Sequence, residues 1–257
     1  YHRQSIFHGG KYLSSHALMD FIESPALFHD KIAGLMPDRD SDAYRNGRAA
    51  HCRILEGPEA YRRRYVFGGP VNEKTGGYYG QQTKAYGEWR AAREAEGLEV
   101  LPDSTDRLCE LMAAGVAMHP EATETLQIGE PEATVRAPYC GTPCQIRIDW
   151  LTEQAIVDLK TCRSLKRFAW DFYEYRYQNQ FSFYQKVYEN ASSRRLPVLI
   201  IAVEKEMPCH AAMFKIEQAA LDKAQLENEA AIERMRQCQA TGNWPTGYEG
   251  VHAIAAR

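Results

Sequence analysis

The stretch RIDWLTEQAIVDLKTC, Arg147–Cys162, places two acids and a lysine in a run that is otherwise mostly apolar. Asp149, Asp158 and Lys160 are unexpected there, because charged side chains are rarely buried without a partner. Side chains two apart in a strand point to the same side, so Asp158 and Lys160 project together with Leu159 opposite. Asp149 ends the preceding strand and joins them only if the sheet bends. Such a bend would gather two carboxylates and an ammonium in one cavity.

Alternating apolar residues on both sides of this stretch predict a β-meander. Three antiparallel strands are expected near residues 131–138, 144–151 and 155–160, separated by turn-forming residues. The apolar segments PVLIIAVEKE and HAAMFKIE predict two further strands that pair with each other.

Helical periodicity flanks the predicted strands. Ser14 and Ser15 are candidate N-caps of a first helix, and Pro25 begins a second that stops at Gly34. The remaining helices are expected near residues 43–56, 79–96, 104–118, 165–190 and 218–240. This order predicts an α/β fold with a central mixed β-sheet, an antiparallel meander and flanking helices. We expect one domain, 1–257, with a helical N-terminal region over residues 1–128, a sheet core over 129–216 and a C-terminal helix over 217–240.

The composition is that of a globular protein, with 257 residues, 44% hydrophobic and 25% charged. No apolar run approaches the ~18 residues of a membrane helix, so no membrane partner is expected. Seven cysteines without a CxxC pair argue against a disulfide framework and favour a reducing, cytoplasmic compartment. The net charge of −3 means that nucleic-acid binding would depend on local basic patches. Tyr1 is not a start methionine, and we expect a longer precursor.

Two carboxylates beside a lysine suit chemistry on a phosphate. Mg²⁺ takes oxygen ligands and often binds through one or two carboxylates together with substrate phosphates. The lysine could then orient or deprotonate a water, or stabilise charge that develops on the phosphate. The alternative is a surface ion pair between Asp158 and Lys160, worth ~0–1 kcal/mol.

Several segments in one order resemble a known family. The run RID…IVDLKT resembles the core of the PD-(D/E)xK nuclease superfamily in its RecB-like branch. NGRAAHCRILEG resembles the upstream helix of that branch, and YEYRYQNQFSFYQKVY resembles its downstream Gln-x-x-x-Tyr helix. YLSSHALMDFIESPALF and GEPEATV resemble segments of RecE-type exonucleases in particular. The resemblance implies a restriction-endonuclease-like (PD-(D/E)xK) core.

The resemblance also implies roles for individual residues. Glu132 takes the place of the acid on the first strand, with Glu130 as a rival two residues earlier. His51 could instead be a core histidine, and Gln180 and Tyr184 could belong to an aromatic core stripe, which is the interpretation we favour for Tyr173 and Tyr177. The implied metal ligands are His51, Glu132, Asp149 and Asp158, and the implied catalytic residues are Asp149, Asp158, Lys160, Gln180 and Tyr184.

Basic residues near these motifs are candidates for binding DNA phosphates. Arg48 lies one turn before His51 on the same predicted helix, and three more follow the DLKT strand. The run YRRRY, residues 61–65, is the densest basic segment, but such runs are usually solvated. The predicted phosphate-binding residues are Arg48, Arg163, Lys166 and Arg167.

By resemblance, the function would be that of a Mg²⁺-dependent double-strand DNA exonuclease, with Mn²⁺ as a substitute. It would digest 5′-to-3′ from double-stranded DNA ends and leave 3′ single-stranded tails for recombination. A homo-oligomer, with a ring as one form, and a single-strand annealing recombinase are the implied partners, in a bacterial cell or a phage-infected host. The alternatives are an endonuclease or single-strand-specific nuclease of the same fold, and a catalytically inactive DNA-binding protein.

Some relatives in the superfamily hold an iron–sulfur cluster with one upstream cysteine and a C-terminal trio. Only Cys209 and Cys238 lie late in this chain, so we predict no iron–sulfur cluster.

Overall fold

The computed structural model describes residues 12–36, 41–251 and 253. Its strands are β1 Tyr65–Phe67, β2 Glu99–Leu101, β3 Glu130–Tyr139, β4 Thr142–Leu151, β5 Ile156–Cys162, β6 Val198–Glu204 and β7 Ala211–Lys215. The helices are α1 Ser15–Glu23, α2 Pro25–Ile32, α3 Asp42–His51, α4 Gly57–Arg64, α5 Lys84–Ala95, α6 Asp103–Ala117, α7 Pro120–Thr125, α8 Leu165–Glu174, α9 Tyr177–Ser192 and α10 Gln218–Thr241. A π-helical turn, Cys52–Glu56, joins α3 to α4.

The central sheet has five strands in the order β3-β4-β5-β6-β7. Strands β3, β4 and β5 form an antiparallel meander, β5 and β6 run parallel, and β6 and β7 are antiparallel. The predicted α/β class and central mixed sheet are therefore confirmed. The parallel pair is possible because α8 and α9 carry the chain back between β5 and β6, as such a crossover requires.

Two apolar clusters cover the two faces of this sheet. One cluster packs α1, α2, α9 and α10 against residues such as Ile148, Ile156 and Ile200. The other packs α3, α6 and their neighbours against Val157, Leu159 and other alternating residues. Strand alternation explains the division, because neighbouring residues of β5 point to opposite faces.

Local sequence signals account for most helix starts. The Ser14 hydroxyl accepts the backbone N–H of Ala17 at 3.2 Å and caps α1. Ser24 caps α2 in the same way, and Pro25 occupies its first turn, where a missing N–H costs nothing. Of the two predicted N-caps, Ser14 is the cap and Ser15 is the first residue of α1, and the predicted start at Pro25 agrees with the structure.

Two sequence predictions need correction. The helix expected over residues 165–190 is two helices, because Arg176 adopts a left-handed conformation (φ 51°, ψ 37°) between α8 and α9. The N-terminal region expected to be helical also contains a small parallel sheet of β1 and β2, and its first eleven residues lie outside the described ranges.

The helix expected near 79–96 begins later, at Lys84, where the Thr83 hydroxyl accepts the N–H of Tyr86. None of the helices in the described ranges has both the length and the apolar character needed to cross a bilayer. The proposed division of 1–257 into three regions of one domain stays a prediction.

Candidate active site

The centre of the site is the place where β4 and β5 separate. These strands pair only at Trp150 with Val157 and at Leu151 with Ile156, whereas β5 pairs with β6 along all of Ile156–Cys162. Beyond the two pairs, the Asp149 carboxylate takes the place of a backbone partner. Its Oδ2 accepts the N–H of Leu159 at 2.9 Å. The separation of the strands brings Asp149 beside the β5 side chains, an arrangement that the sequence predicted only on condition that the sheet bends.

Asp158 and Lys160 lie side by side on β5. Lys160 Nζ is 2.6 Å from Asp158 Oδ2, and the Asp158 residue is only 2% exposed. This ion pair differs from the surface pair considered from sequence, because Asp158 is buried and the Lys160 side chain is only 16% exposed. The Lys160 ammonium also lies 5.0 Å from the ring centroid of Tyr177 and 5.2 Å from that of Phe181. Cation–π attraction from α9 therefore helps to hold the lysine in place.

Glu132 enters the site from β3 through a strained backbone. The register of β3 and β4 is continuous from Glu130 to Tyr139 except at the position where Glu132 faces Asp149. Glu132 has a φ of 58°, which is unfavourable for a residue with a Cβ. Its Oε2 lies 2.7 Å from Arg147 Nε. The structure thus brings Glu132 to the site and leaves Glu130 exposed outside it.

His51 reaches the site from the end of α3. Its Nδ1 lies 3.3 Å from Asp149 Oδ2. The π-helical turn begins at the next residue, Cys52, and Gly57 follows with a φ of 85°. Single π-helical turns occur often at functional sites. The core position considered for His51 does not describe it fully, because its side chain is 26% exposed and lines the cleft.

Gln180 and Tyr184 approach from α9, on the other face of the sheet. They lie one turn apart, and Gln180 Nε2 donates to the Tyr184 hydroxyl at 3.3 Å. Tyr184 also packs in the apolar cluster, so both the functional and the core interpretations hold for this residue. Because β4 and β5 part, side chains from both covering layers meet at one point.

These residues line a single cleft of about 770 Å³. Arg48 lies on its wall, with Nη2 3.0 Å from Glu99 Oε1. The other predicted phosphate-binding residues, Arg163, Lys166 and Arg167, are exposed on and just before α8 and do not line the cleft. The predicted residues in the cleft are Arg48, His51, Glu132, Asp149, Asp158, Lys160, Gln180 and Tyr184.

Several further cleft residues were not assigned to the site from sequence, among them two tyrosines and two arginines. Arg147 could have been found, since it lies two residues before Asp149 in the same strand. Tyr177 could also have been found, since it lies one turn before Gln180, but aromatic spacing is equally typical of a core. Tyr44 could have been found as well, since it lies one turn before Arg48 on the stripe that contains His51. Arg64 lies in the basic run YRRRY, but its approach to the cleft depends on the path of α4. All four line the cleft: Tyr44, Arg64, Arg147 and Tyr177.

The acids of the site are crowded and poorly solvated. Burial, followed by the charge of Asp149, raises the pKa of Asp158 to about 6. Burial also raises the pKa of Asp149 against the opposing effect of Lys160. For Glu132, burial outweighs the nearby Arg147 and raises the pKa to about 7. Burial therefore disfavours the charged forms of these three acids in the folded protein, and a bound cation would offset that cost.

The two nitrogen bases respond differently to the same surroundings. Burial lowers the pKa of His51 to about 4, so the imidazole is neutral at pH 7 and can act as a ligand. Burial alone would lower the pKa of Lys160, but Asp158 and Asp149 outweigh it and raise the pKa above its usual value. Lys160 therefore stays protonated, which favours a role in orientation or charge stabilisation over deprotonation of a water.

The donor set fits a hard divalent cation. Within residues 12–36, 41–251 and 253, no three His, Cys, Asp or Glu side chains are spaced to enclose an ion by themselves. Mg²⁺ needs only one or two carboxylates when water and substrate phosphate complete its shell. The buried Asp158 Oδ2 lies beside the Lys160 ammonium, and the buried Glu132 Oε2 lies beside the Arg147 guanidinium. Neither oxygen accepts a hydrogen bond of ordinary geometry. These oxygens and the raised pKa values are what a cation-binding group of acids requires.

Comparison with known proteins agrees with this architecture. Residues 14–256 match the family described as a PDDEXK-like domain of unknown function (DUF3799). A crystal structure of a protein assigned as an exonuclease from Eubacterium rectale superposes with a TM-score of 0.68 at 14% identity, covering 96% of this chain and 91% of that one. An alkaline exonuclease from Laribacter hongkongensis gives a TM-score of only 0.27 at 14% identity, covering 63% of this chain and 89% of that one, which is too low to indicate a common fold. No curated protein matches.

The fold and the family match together define a PDDEXK-like protein, which confirms the resemblance to the PD-(D/E)xK superfamily found in the sequence. The chain belongs to the DUF3799 family of PDDEXK-like domains, because the match extends over nearly its whole length. The structural neighbour supports the fold alone at 14% identity.

Proposed function

We propose that this protein is a divalent-cation-dependent deoxyribonuclease that hydrolyses phosphodiester bonds. One observation carries the proposal: the separation of β4 and β5 places Asp149, Asp158 and Lys160 together at the base of an open cleft. A purely structural group of buried acids would not need access to a cleft of about 770 Å³. The DUF3799 match and the assignment of the structural neighbour as an exonuclease support the same class of activity.

Asp149 and Asp158 would hold the cation, with Glu132 and His51 beside them. When bound, Mg²⁺ or Mn²⁺ would polarise the scissile phosphate and make a neighbouring water more acidic. The chain itself supplies the orientation. Lys160, held between Asp158 and two aromatic rings, presents a fixed positive charge to the phosphate.

The polar groups on α9 complete the cleft. The Gln180 amide and the Tyr184 hydroxyl are positioned to hydrogen-bond a phosphate oxygen or the attacking water. Burial raises the pKa of Tyr184 to about 12, so its hydroxyl remains a donor at pH 7. Arg48 lies on the wall as a candidate phosphate contact, whereas Arg163, Lys166 and Arg167 would contact DNA only outside the cleft.

The finer proposal is a double-strand DNA exonuclease that digests 5′-to-3′ and leaves 3′ single-stranded tails for recombination. The resemblance to RecE-type exonucleases supports it. The same likeness supports Mg²⁺ as the cation, a homo-oligomer, in one form a ring, a single-strand annealing recombinase as partner, and a cytoplasmic location.

Digestion of end-labelled linear duplex tests this function. We expect Mg²⁺ to permit, and EDTA to prevent, early release of a 5′ label while a 3′ label stays on long fragments. Asp158→Asn should slow digestion by more than about 100-fold, since it alters a ligand itself. The matched control is Asp30→Asn, because Asp30 is half-exposed on α2 and outside the cleft.

Two outcomes would replace the exonuclease proposal with its alternatives. Nicking or linearisation of a covalently closed circular duplex would show an endonuclease. Salt-dependent DNA binding without cleavage in Mg²⁺ or Mn²⁺ would show an inactive DNA-binding protein.

A further inference from the structure

Helix α8 exposes large aromatic side chains on the face that it turns away from the core. Phe168 and Phe172 are buried on its inner face. Trp170 is 56% exposed, Tyr173 is 61% exposed, and Tyr175, just beyond the helix, is 62% exposed. Single exposed apolar residues are ordinary, but three exposed aromatic rings within six residues are typical of an interaction surface.

Positive charge accompanies these rings. The Arg167 guanidinium lies 4.9 Å from the ring centroid of Trp170. Lys166 is exposed one residue earlier, and the Arg163 side chain is 85% exposed, with Glu206 at 3.7 Å. These cations lie at the N-terminal end of α8, whereas Asp171 and the exposed Glu174 lie toward its C-terminal end. Basic groups interleaved with aromatic rings are typical of surfaces that bind unpaired nucleic acid.

Ring contacts connect this patch to the candidate active site. Tyr175 lies 5.8 Å from Tyr177, ring centroid to ring centroid, and Tyr177 lies 5.0 Å from Lys160 Nζ. A second route runs from Tyr173 through Phe172 to Tyr177, with centroid distances of 5.1 and 6.3 Å. The two exposed tyrosines are therefore connected by ring contacts to Tyr177, which lines the cleft.

We propose that Arg167, Trp170, Tyr173 and Tyr175, which we term the α8 face, bind single-stranded DNA by base stacking. An unpaired strand has free base faces for the rings and phosphates for Arg167, whereas a duplex hides its bases in the stack. That the bound strand is one that enters or leaves the cleft rests on the proposed nuclease function. The binding surface itself rests on the exposed rings and their cations.

Binding of fluorescent oligo-dT in EDTA tests the proposal without any cleavage. Trp170→Ala and Tyr175→Ala should each weaken binding about tenfold, whereas Trp170→Phe and Tyr175→Phe, which keep a ring, should stay near wild type. Tyr248→Ala is the matched control, because Tyr248 is 79% exposed and lies outside the cleft. Oligo-dT should also quench tryptophan fluorescence in the wild type, and Trp170→Phe should lose most of that quenching.

Unchanged oligo-dT affinity in both alanine variants would overturn the α8 face. A shift in oligomeric state on size-exclusion chromatography with unchanged oligo-dT affinity would also overturn it, and would make the surface a contact between protein chains. If the wild type digests duplex DNA while the alanine variants bind normally, the α8 face fails and the nuclease stands. If the wild type digests no DNA while the alanine variants lose affinity for oligo-dT, the proposed nuclease function is wrong and the proposed binding by the α8 face is supported.

Discussion

The Asp149 carboxylate accepts a hydrogen bond from the backbone N–H of Leu159 at 2.9 Å, next to the point where strands β4 and β5 cease to pair. One carboxylate thus satisfies a buried donor that sheet pairing would otherwise satisfy, and it also faces the cleft. The separation of β4 and β5 is therefore what brings the acidic side chains together in the site.

The first prediction concerns this hydrogen bond. Asp149→Ala should be less stable than Asp149→Asn by about 1–3 kcal/mol, because alanine leaves the Leu159 N–H buried without a partner while the asparagine oxygen can still accept it. Both variants should lose nuclease activity. Urea unfolding in EDTA measures the difference, and equal stability of the two variants would contradict the capping role.

The second prediction concerns pH and Glu132. Its folded pKa is about 7, above the usual 4.5, so the folded protein holds this proton more tightly than the unfolded chain. That stabilisation is complete below about pH 4.5 and is lost as the pH rises through 7. In EDTA, Glu132→Gln should therefore raise Tm relative to wild type more at pH 8 than at pH 5.

Glu130→Gln is the control for this measurement, since Glu130 is exposed outside the cleft. Its effect on Tm should be the same at the two pH values. A Glu132→Gln effect that is equally independent of pH would contradict the crowded-acid description of the site.

The third prediction is stabilisation by divalent cations. An ion that binds only the folded state at 100 times its Kd adds about 2.7 kcal/mol to the free energy of unfolding. Mg²⁺ or Mn²⁺ should raise Tm of the wild type and of Asp30→Asn but have little effect on Asp158→Asn. Equal shifts in all three proteins would place the cation elsewhere.

The fourth prediction concerns the rings beside Lys160. Tyr177→Phe keeps a ring 5.0 Å from the ammonium and should retain activity, whereas Tyr177→Leu removes the cation–π contact and should lower kcat/KM roughly tenfold. Initial rates over a range of DNA concentrations give the comparison. A Tyr177→Phe variant as impaired as Tyr177→Leu would show that the hydroxyl, and not the ring, matters.

Much of the sheet could be predicted from sequence because alternation is a local signal. The strands expected at 131–138, 144–151 and 155–160 lie within two residues of β3, β4 and β5. The break after α8 could not be predicted, since Arg176 adopts a left-handed conformation without glycine or proline beside it. Strands β1 and β2 are three-residue segments far apart in sequence, and segments this short show no local pattern that predicts their pairing.

The candidate site shows the same division. Strand periodicity places Asp158 and Lys160 on one side, and helix periodicity places Gln180 and Tyr184 on one face. Their assignment to the site comes from the resemblance to the PD-(D/E)xK superfamily. The approach of Asp149 depends on where two strands part, which is a property of the folded sheet. The entry of Glu132 depends on a positive φ, and its sequence neighbours carry no sign of that conformation.

The most direct test of the central claim is a crystal structure of the protein soaked with Mn²⁺, with the ion located by its anomalous scattering. We expect an anomalous peak in contact with the carboxylates of Asp149 and Asp158, and its loss in Asp158→Asn crystals. An active protein whose manganese lies away from both carboxylates would contradict the assignment of these two acids as the cation site.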